Sequence, residues 1–310
     1  MPTCPVPLNR VIRRIIDEDR SLDQGLLEVS ALPVSNVSDT ARWVAVYRAW
    51  ESARPDALFN DPYAKSLAGE RGQAIATLMP AQARSGWPMI ARTKLIDDLV
   101  QAAVAQGCDC VINLAAGLDT RPYRLALPNS LRWIEADLPA LIEEKEQLLA
   151  EAKPRCQLRR IKVDLADAKA RVVALREAVT PSTQALVLTE GLLVYLDDAQ
   201  VSGLSKDIAA LAGIRYWLLD LGSPAILELM NKGMGAHLTN APLKFAPANG
   251  IAFFEGLGWR VGQVHSIFHA AVRFRRLPWF LKVFALLPEP NPRKLGRARW
   301  SGVVQLTRAE

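Results

Sequence analysis

The sequence predicts an α/β fold in which a doubly wound, mainly parallel sheet follows a helical N-terminal region. Short, nearly all-apolar runs alternate with helical segments after Gly107, as expected of parallel strands covered on both faces. Earlier residues instead show helical periodicity interrupted by proline and glycine. We therefore expect a helical region over residues 1–106 and a sheet-bearing core over residues 107–310.

The elements follow in order along the chain. A helix over Pro88–Gln106 carries an apolar stripe, and Gly107 suits the left-handed residue that ends it. Strands and helices then alternate, which implies parallel strands joined by right-handed crossovers. The predicted strands are Cys110–Ala115, Leu131–Ala136, Leu158–Val163, Ala185–Thr189 and Tyr216–Asp220. The predicted helices between them are Pro139–Ala152, Asp167–Val179 and Asp198–Leu211.

Two further strands, Trp259–Ile267 and Gly302–Thr307, complete the predicted sheet. A long excursion rather than a crossover helix precedes the second of them. We therefore expect an antiparallel last strand, although the pattern alone does not fix its direction. Insertions in the core are expected near residues 222–258 and 268–300.

The composition is typical of a globular protein, with 50% hydrophobic and 23% charged residues. The sequence begins without the apolar run of a signal peptide, and its most apolar late stretch, Leu277–Pro288, is too short to span a bilayer. The spacing of Cys108 and Cys110 fits no usual zinc or redox motif. We therefore expect a cytoplasmic protein with reduced thiols, no metal site and no membrane span.

The net charge of +6 is concentrated near the end of the chain. From Arg260 onward there are ten lysine or arginine residues and only two acidic residues, Glu289 and Glu310. This bias favours an anionic substrate, an acidic protein partner or a membrane surface, unless it forms only a solvated face. Trp279, Phe280 and nearby apolar residues fit a substrate wall, an interface or an amphipathic surface segment. Aromatic residues are not interleaved with the arginines as in RNA-binding modules, so we expect no nucleic-acid partner.

Ligands of open α/β sheets bind beyond the carboxyl ends of the strands. The first predicted strand leads into Gly117, where a glycine lets backbone approach a ligand and adopt unusual dihedral angles. Thr120 is expected to cap a short helix with Pro122 in its first turn, leaving free N–H groups for a polar ligand. The glycine motif of dinucleotide binders is incomplete, because its first and third glycines correspond to Ala115 and Thr120.

Acidic residues follow the next three predicted strands. Asp137 lies about 20 residues beyond the glycine loop, where an acid accepts hydrogen bonds from ribose hydroxyls; it fits a cap of the helix at Pro139 as well. Asp164, together with the backbone N–H of Leu165, suits an adenine edge. Glu190 is expected in the partly buried mouth of the ligand site. Its charge would there pair with a cationic group of a ligand, such as a sulfonium.

The chain resembles the leucine carboxyl methyltransferase family, in particular its bacterial branch of S-adenosylmethionine (SAM)-dependent O-methyltransferases of polyketide and other secondary metabolism. The likeness covers residues 38–222 and implies a class I, Rossmann-like methyltransferase core with an N-terminal helical lid over 1–106. The matching stretches are Thr40–Gly69, Val111–Leu125 (VINLAAGLDTRPYRL), Trp133–Lys145, Val163–Asp167 and Leu188–Leu196 (LTEGLLVYL).

The resemblance also implies a set of cofactor-binding residues. Arg92 matches the family's arginine that pairs with the carboxylate of SAM. Gly117 matches the second glycine of the loop, and Ala115 stands where the family often has glycine, so its methyl group would narrow the methionine pocket. The other positions match the ribose site, the adenine site and the acid after the fourth strand, and they are Asp137, Asp164 with Leu165, and Glu190.

The sequence thus predicts transfer of a methyl group from SAM to an oxygen, such as that of a carboxylate, with S-adenosylhomocysteine (SAH) as product. The expected acceptor is a small molecule, either anionic or bound to a carrier protein. Tyr195, Tyr123 and Arg121 are candidates to orient it, although Arg121 fits an ion-pair partner equally. The histidines fit core or surface roles, and they are His237, His265 and His269.

Two alternatives stay open at this point. A protein of this fold can bind SAM in a cyclase-like or structural role without methylating anything. An acid after a glycine loop also suits a nicotinamide-dependent oxidoreductase, although the missing glycines argue against that class.

Overall fold

Seven strands form one mixed sheet in the part of the chain that the structure describes. The structure is a computed structural model and describes residues 37–79, 84–234 and 242–308; the first 36 residues of the predicted lid and His237 lie outside the described residues. The strands are β1 (Cys110–Leu114), β2 (Arg132–Asp137), β3 (Gln157–Lys162), β4 (Ala185–Thr189), β5 (Ile214–Gly222), β6 (Trp259–Ser266) and β7 (Ser301–Arg308).

The strand order across the sheet is β3-β2-β1-β4-β5-β7-β6. The strands β1 to β5 pair in parallel, and β7 pairs antiparallel with both β5 and β6. The chain reverses its direction of travel across the sheet between β1 and β4. In a doubly wound sheet this point opens a crevice at the carboxyl ends of the strands, and that is where ligands bind.

Helices and short 3₁₀ turns connect the strands. The helices are α1 (Val37–Ser52), α2 (Ala64–Leu78), α3 (Trp87–Ala105), α4 (Arg121–Arg124), α5 (Pro139–Leu148), α6 (Ala168–Val179), α7 (Asp198–Ala209), α8 (Pro224–Met234), α9 (Ala252–Glu255) and α10 (Ile267–Arg273). The 3₁₀ segments are Leu193–Tyr195 and Trp279–Leu286.

The sheet is covered on both faces, which explains why β1 and β4 are buried along their whole lengths. Successive side chains of a strand point to opposite faces. Ile112 therefore packs with α6 and α7, whereas Val111 packs with α3 and α10. A third apolar cluster joins α1 and α2 to Leu118 in the loop after β1. The N-terminal helices thus reach the carboxyl edge of the sheet.

The predicted fold class is confirmed. The helix expected over Pro88–Gln106 is α3, and Gly107 follows it with a φ of 94°. The last strand is antiparallel, as expected, because β7 inserts between β5 and β6. The fifth strand is longer than predicted and extends to Gly222.

None of the helices in the described ranges is long and apolar enough to cross a membrane.

Candidate functional site

The loop after β1 has an unusual backbone conformation at the switch point of the sheet. Both Ala115, with a φ of 53°, and Gly117, with a φ of 48°, lie in the left-handed region. The sequence predicts unusual dihedral angles at Gly117, and a glycine adopts a positive φ without strain. Ala115 is strained there, because an L-residue with a Cβ disfavours positive φ. A glycine, which the resemblance implies at this position, would relieve this strain.

Asp137 holds this loop in place from the end of β2. Its Oδ2 accepts from the N–H of Gly117 at 2.7 Å, and its Oδ1 accepts from the N–H of Leu138 at 2.8 Å. The side chain does not cap α5, whose N-cap residue is Leu138. A carboxylate offers about four lone-pair sites, so two stay available for a ligand. Burial raises the pKa of Asp137, although the two N–H groups act in the opposite direction.

The acid after the third strand has a different environment. Asp164 is exposed, and its Oδ1 accepts from the N–H of Ala166 at 2.9 Å, which closes a local turn. Leu165 is half-buried, and its carbonyl accepts from Arg171 at 2.7 Å. The turn is thus fixed by its own contacts, with the Asp164 carboxylate on the surface at the carboxyl end of β3.

Arg92, on α3, bridges the ends of β4 and β5. Its Nε donates to Glu190 at 3.0 Å and its Nη1 donates to Asp220 at 2.8 Å. Asp220 in turn accepts from the N–H of Gly191 at 2.6 Å. Only two of the five N–H groups of the guanidinium serve these bonds, so others remain for a ligand carboxylate.

Arg121 forms the second bridge, from α4 into the same cluster. Its side chain is only 2% exposed, and it donates to Asp97, Asp119 and Glu190, each at 2.7 Å. Burial raises the pKa of Glu190, but Arg121 and Arg92 outweigh burial and hold this pKa below its usual value. Both arginines therefore keep Glu190 ionised.

These contacts form one buried charge network with an excess of negative charge. It joins five carboxylates to four guanidinium groups, and these are Asp61, Asp97, Asp119, Glu190 and Asp220 with Arg48, Arg92, Arg121 and Arg124. One negative charge is therefore left without a counterpart inside this network. A buried, uncompensated charge is costly, and a cationic ligand at the mouth would offset it.

The N-terminal helices clamp the loop from the other side. Arg48, on α1, donates to the carbonyl of Leu118 at 2.6 Å and to Asp61 at 2.8 Å. Thr120 is the N-cap residue of α4, as expected, but its side chain does not cap the helix, because its hydroxyl donates to Asp61 at 2.6 Å. The competing carboxylate is contributed from a position 59 residues away in the sequence.

The two tyrosine candidates lie in different surroundings. Tyr195 ends the 3₁₀ turn after β4, where burial raises its pKa against a hydrogen bond with Thr40 and the charge of Arg92. Tyr123 accepts through its hydroxyl from Arg160 at 2.6 Å, within a separate cluster around Glu135. The charge of Arg92 thus acts on the pKa of Tyr195, whereas Tyr123 bonds to Arg160 in the separate cluster.

Sequence reasoning missed several members of the network. Asp220 ends a predicted strand, so the argument that selected Asp137 applies to it equally. Asp97 is an acid on the apolar side of α3 and is buried. A charged residue in an apolar stripe signals a buried partner, and Asp97 has two such partners, Arg121 and Arg124.

Metal or thiol chemistry finds no support among the described ranges. No group of three or more His, Cys, Asp and Glu side chains there is arranged to hold a metal ion. Burial raises the pKa of Cys108 to about 11 and those of Cys110 and Cys156 to about 12. These buried thiols therefore stay protonated at neutral pH.

The sequence profile of the leucine carboxyl methyltransferase family matches residues 41–209, more than half of the chain. The chain belongs to this family. The match includes the loop after β1, Asp137 and Glu190, so the resemblance expected from the sequence is confirmed. The loop after β1 lies both within the matched range and at the switch point of the sheet.

Relatives of similar length agree with this assignment. A Frankia alni protein, provisionally named an S-adenosylmethionine-dependent methyltransferase, is 34% identical over 73% of this chain and 83% of its own length. A Streptomyces coelicolor protein with the same provisional name is 32% identical over 78% of this chain and 89% of its own length. Both names include SAM, the cofactor that the sequence predicts. Neither name refers to a nicotinamide-dependent enzyme.

Solved structures support the fold. A DUF574 family protein from Streptomyces avermitilis has a TM-score of 0.55 at 14% identity, covering 87% of this chain and 97% of that one. A protein from Thermobifida fusca, provisionally named a methyltransferase, has a TM-score of 0.52 at 15% identity, covering 91% and 97%. At such low identity these likenesses bear on the fold alone.

Proposed function

We propose that this methyltransferase transfers a methyl group from SAM to a carboxylate oxygen of a small-molecule acceptor. The observation that carries the proposal is the buried charge network around Arg92 and Arg121. It has an excess of negative charge where a cationic donor would bind, and it leaves no free base beside that donor among the described residues of the cleft.

The donor fits the residues that are present. SAM supplies a methyl carbon that is already activated by a positive sulfonium. The uncompensated negative charge beside Glu190 complements that cation. Asp137 has lone pairs that could accept from the ribose hydroxyls, and Arg92 has N–H groups that could donate to the methionine carboxylate. Asp164 and Leu165 would receive the adenine.

The proposed acceptor is a carboxylate because no side chain among the described residues of the cleft is free to act as a general base. Glu190 is locked in ion pairs, and burial keeps the phenol of Tyr195 protonated at neutral pH. His265 and His269 contact Gln263 and Ser266, not members of the network. An acceptor that already arrives as an anion needs no general base, and a carboxylate is such a group. Tyr195 is then suited to orient it by donating a hydrogen bond.

The wider setting belongs to the same proposal. We propose that the described part of the N-terminal helical region, residues 37–79 and 84–106, is a lid over the acceptor, since α1 and α2 close the loop after β1 from outside the sheet. A cytoplasmic location agrees with the free thiols of Cys108, Cys110 and Cys156. An acceptor from secondary metabolism, free or bound to a carrier protein, agrees with the resemblance.

The experiment uses the full chain, SAM labelled in its methyl group, and pairs of acceptors that differ only in bearing a carboxylate or a phenol. We expect SAH to form with the carboxylates, and we expect mild alkali to release the label as methanol, because methyl esters hydrolyse whereas ethers do not. The rate should be flat between about pH 6 and 8, where a carboxylate is fully ionised.

An alkali-stable product, or a rate that rises tenfold per pH unit, would show that the oxygen is not a carboxylate. Tight SAM binding without SAH from any acceptor would favour the non-methylating alternative.

A further inference from the structure

A short segment after α10 exposes a continuous set of large apolar side chains. More than half of each of these side chains is exposed, up to 82% for Trp279 and 85% for Leu286. The set consists of Trp279, Phe280, Val283, Phe284, Leu286 and Leu287. Single exposed apolar residues are ordinary, but a contiguous group of this kind marks an interaction surface. We call it the apolar segment, residues 279–287.

The apolar segment is held to the protein along one side only. Side chains three apart in a 3₁₀ helix lie on one row. Phe280, Val283 and Leu286 form such a row, and each is more than half exposed. Leu281, between two of them in sequence, instead packs against the core cluster beneath α10. The fold therefore anchors the segment and presents its apolar row outward.

Positive charges without an ion-pair partner among the described residues lie next to or within the apolar segment in sequence. Arg273, Arg275 and Lys282 are exposed, and no carboxylate of the described residues forms an ion pair with them. Arg276, between them in sequence, contrasts with this pattern, since it pairs with Glu51 on α1 and with Asp56. Of these four basic residues, only Arg276 has its charge offset by carboxylates, so the other three leave positive charge beside the apolar segment.

We propose that the apolar segment docks this protein on the surface of an anionic lipid membrane. Aromatic and aliphatic side chains enter the boundary between headgroups and acyl chains, and neighbouring cations attract anionic headgroups. A second copy of the chain fits less well, because pairing two such segments would bring Arg275 and Lys282 against like charges. The segment lies on the membrane, since eight residues of 3₁₀ helix cannot span it.

The test is co-sedimentation of the full chain with vesicles. One set contains phosphatidylcholine alone, and the other contains phosphatidylcholine with about one third phosphatidylglycerol. Two double variants address the two contributions: Phe280→Ser with Leu286→Ser removes apolar contact, and Arg275→Glu with Lys282→Glu reverses charge. Val173→Ser is the matched control, because Val173 is an equally exposed apolar side chain on α6, on the other face of the sheet.

We expect binding to the anionic vesicles, little binding to phosphatidylcholine, and at least about a tenfold loss of partitioning in each double variant. The control should bind like the parent chain. Thermal melts and SAM titrations should agree among all four proteins, since every changed side chain is exposed.

Failure of the parent chain to bind anionic vesicles would overturn the proposal, and so would binding by both double variants that equals binding by the parent chain. Sedimentation velocity without lipid tests the alternative that the apolar segment binds a second copy of the chain. A dimer that becomes monomeric in the Phe280→Ser, Leu286→Ser variant would identify a second copy as the occupant and would also overturn it.

Discussion

Replacing Arg121 by methionine tests whether the buried charge network holds the fold together. Methionine keeps much of the volume of the side chain but removes its charge. Asp119 and Glu190 would each lose a charged hydrogen bond of 2.7 Å at a largely buried site. Removing one partner of a buried ion pair destabilises a protein by about 3–5 kcal/mol, against a typical total of about 5–15 kcal/mol.

Urea denaturation followed by circular dichroism measures this loss. With a slope of about 3 kcal/mol per molar urea, the midpoint should fall by about 1 M or more. Arg159→Met is the matched control, because Arg159 forms an ion pair with Glu177 on the surface. An exposed pair contributes less than about 1 kcal/mol. A loss in Arg121→Met no larger than in the control would refute the reasoning.

The loss should also depend on pH. In the parent chain the arginines hold the pKa values of Asp119 and Glu190 below their usual range, so this stabilisation is present above about pH 4 and is lost as the pH falls further. In the variant these carboxylates remain buried with less opposing charge, so their pKa values rise. Protonation then relieves the destabilisation, and the gap between the two proteins should narrow from pH 7 to pH 4.5. An unchanged gap would contradict this account.

Two further predictions address the cofactor loop and the lid. Asp137→Asn should weaken SAM binding by about tenfold to a hundredfold in isothermal titration, because an amide cannot accept the same set of hydrogen bonds; Asp109→Asn, at the amino end of β1, should bind SAM like the parent. Gly86→Ala should lower the free energy of unfolding by at least about 2 kcal/mol, since Gly86 has a φ of 59° and a Cβ there would lie 2.3 Å from the ring of Tyr47. Gly296→Ala, with a φ of 51° and nothing within 4 Å of the added Cβ, should show only the backbone strain of about 1 kcal/mol, and equal losses in the two variants would count against the steric argument.

Strand positions were predictable because burial on both faces leaves a direct mark in the sequence. The strand Ala185–Thr189 was predicted with the bounds that the structure shows, since all five residues are buried. The direction of β7 was less certain, because its pairing with β5 depends on contacts distant in sequence. The residues at strand ends, such as Gly117 and Asp137, were predictable because the order of elements alone brings them to one edge of the sheet.

Contacts between distant segments were not predictable in this way. Asp61 meets Thr120 across 59 residues, and nothing in either local pattern indicates it. Arg92 was selected only through the family resemblance, since an arginine near the start of a helix has no distinguishing local pattern. Its pairing with Asp220 depends on how α3 crosses the end of β5, which is set by tertiary packing.

The hydrogen bond from Arg48 to the carbonyl of Leu118 joins α1 to the loop of the proposed cofactor site. The loop that would receive the nucleoside is completed by a guanidinium from α1, so the sheet by itself does not build a finished site. Occupancy by SAM and ordering of α1 are then thermodynamically linked, and each should favour the other. Amide hydrogen exchange in α1 would register this linkage as slower exchange when the ligand is added, at a helix that contributes no residue to the proposed nucleoside contacts.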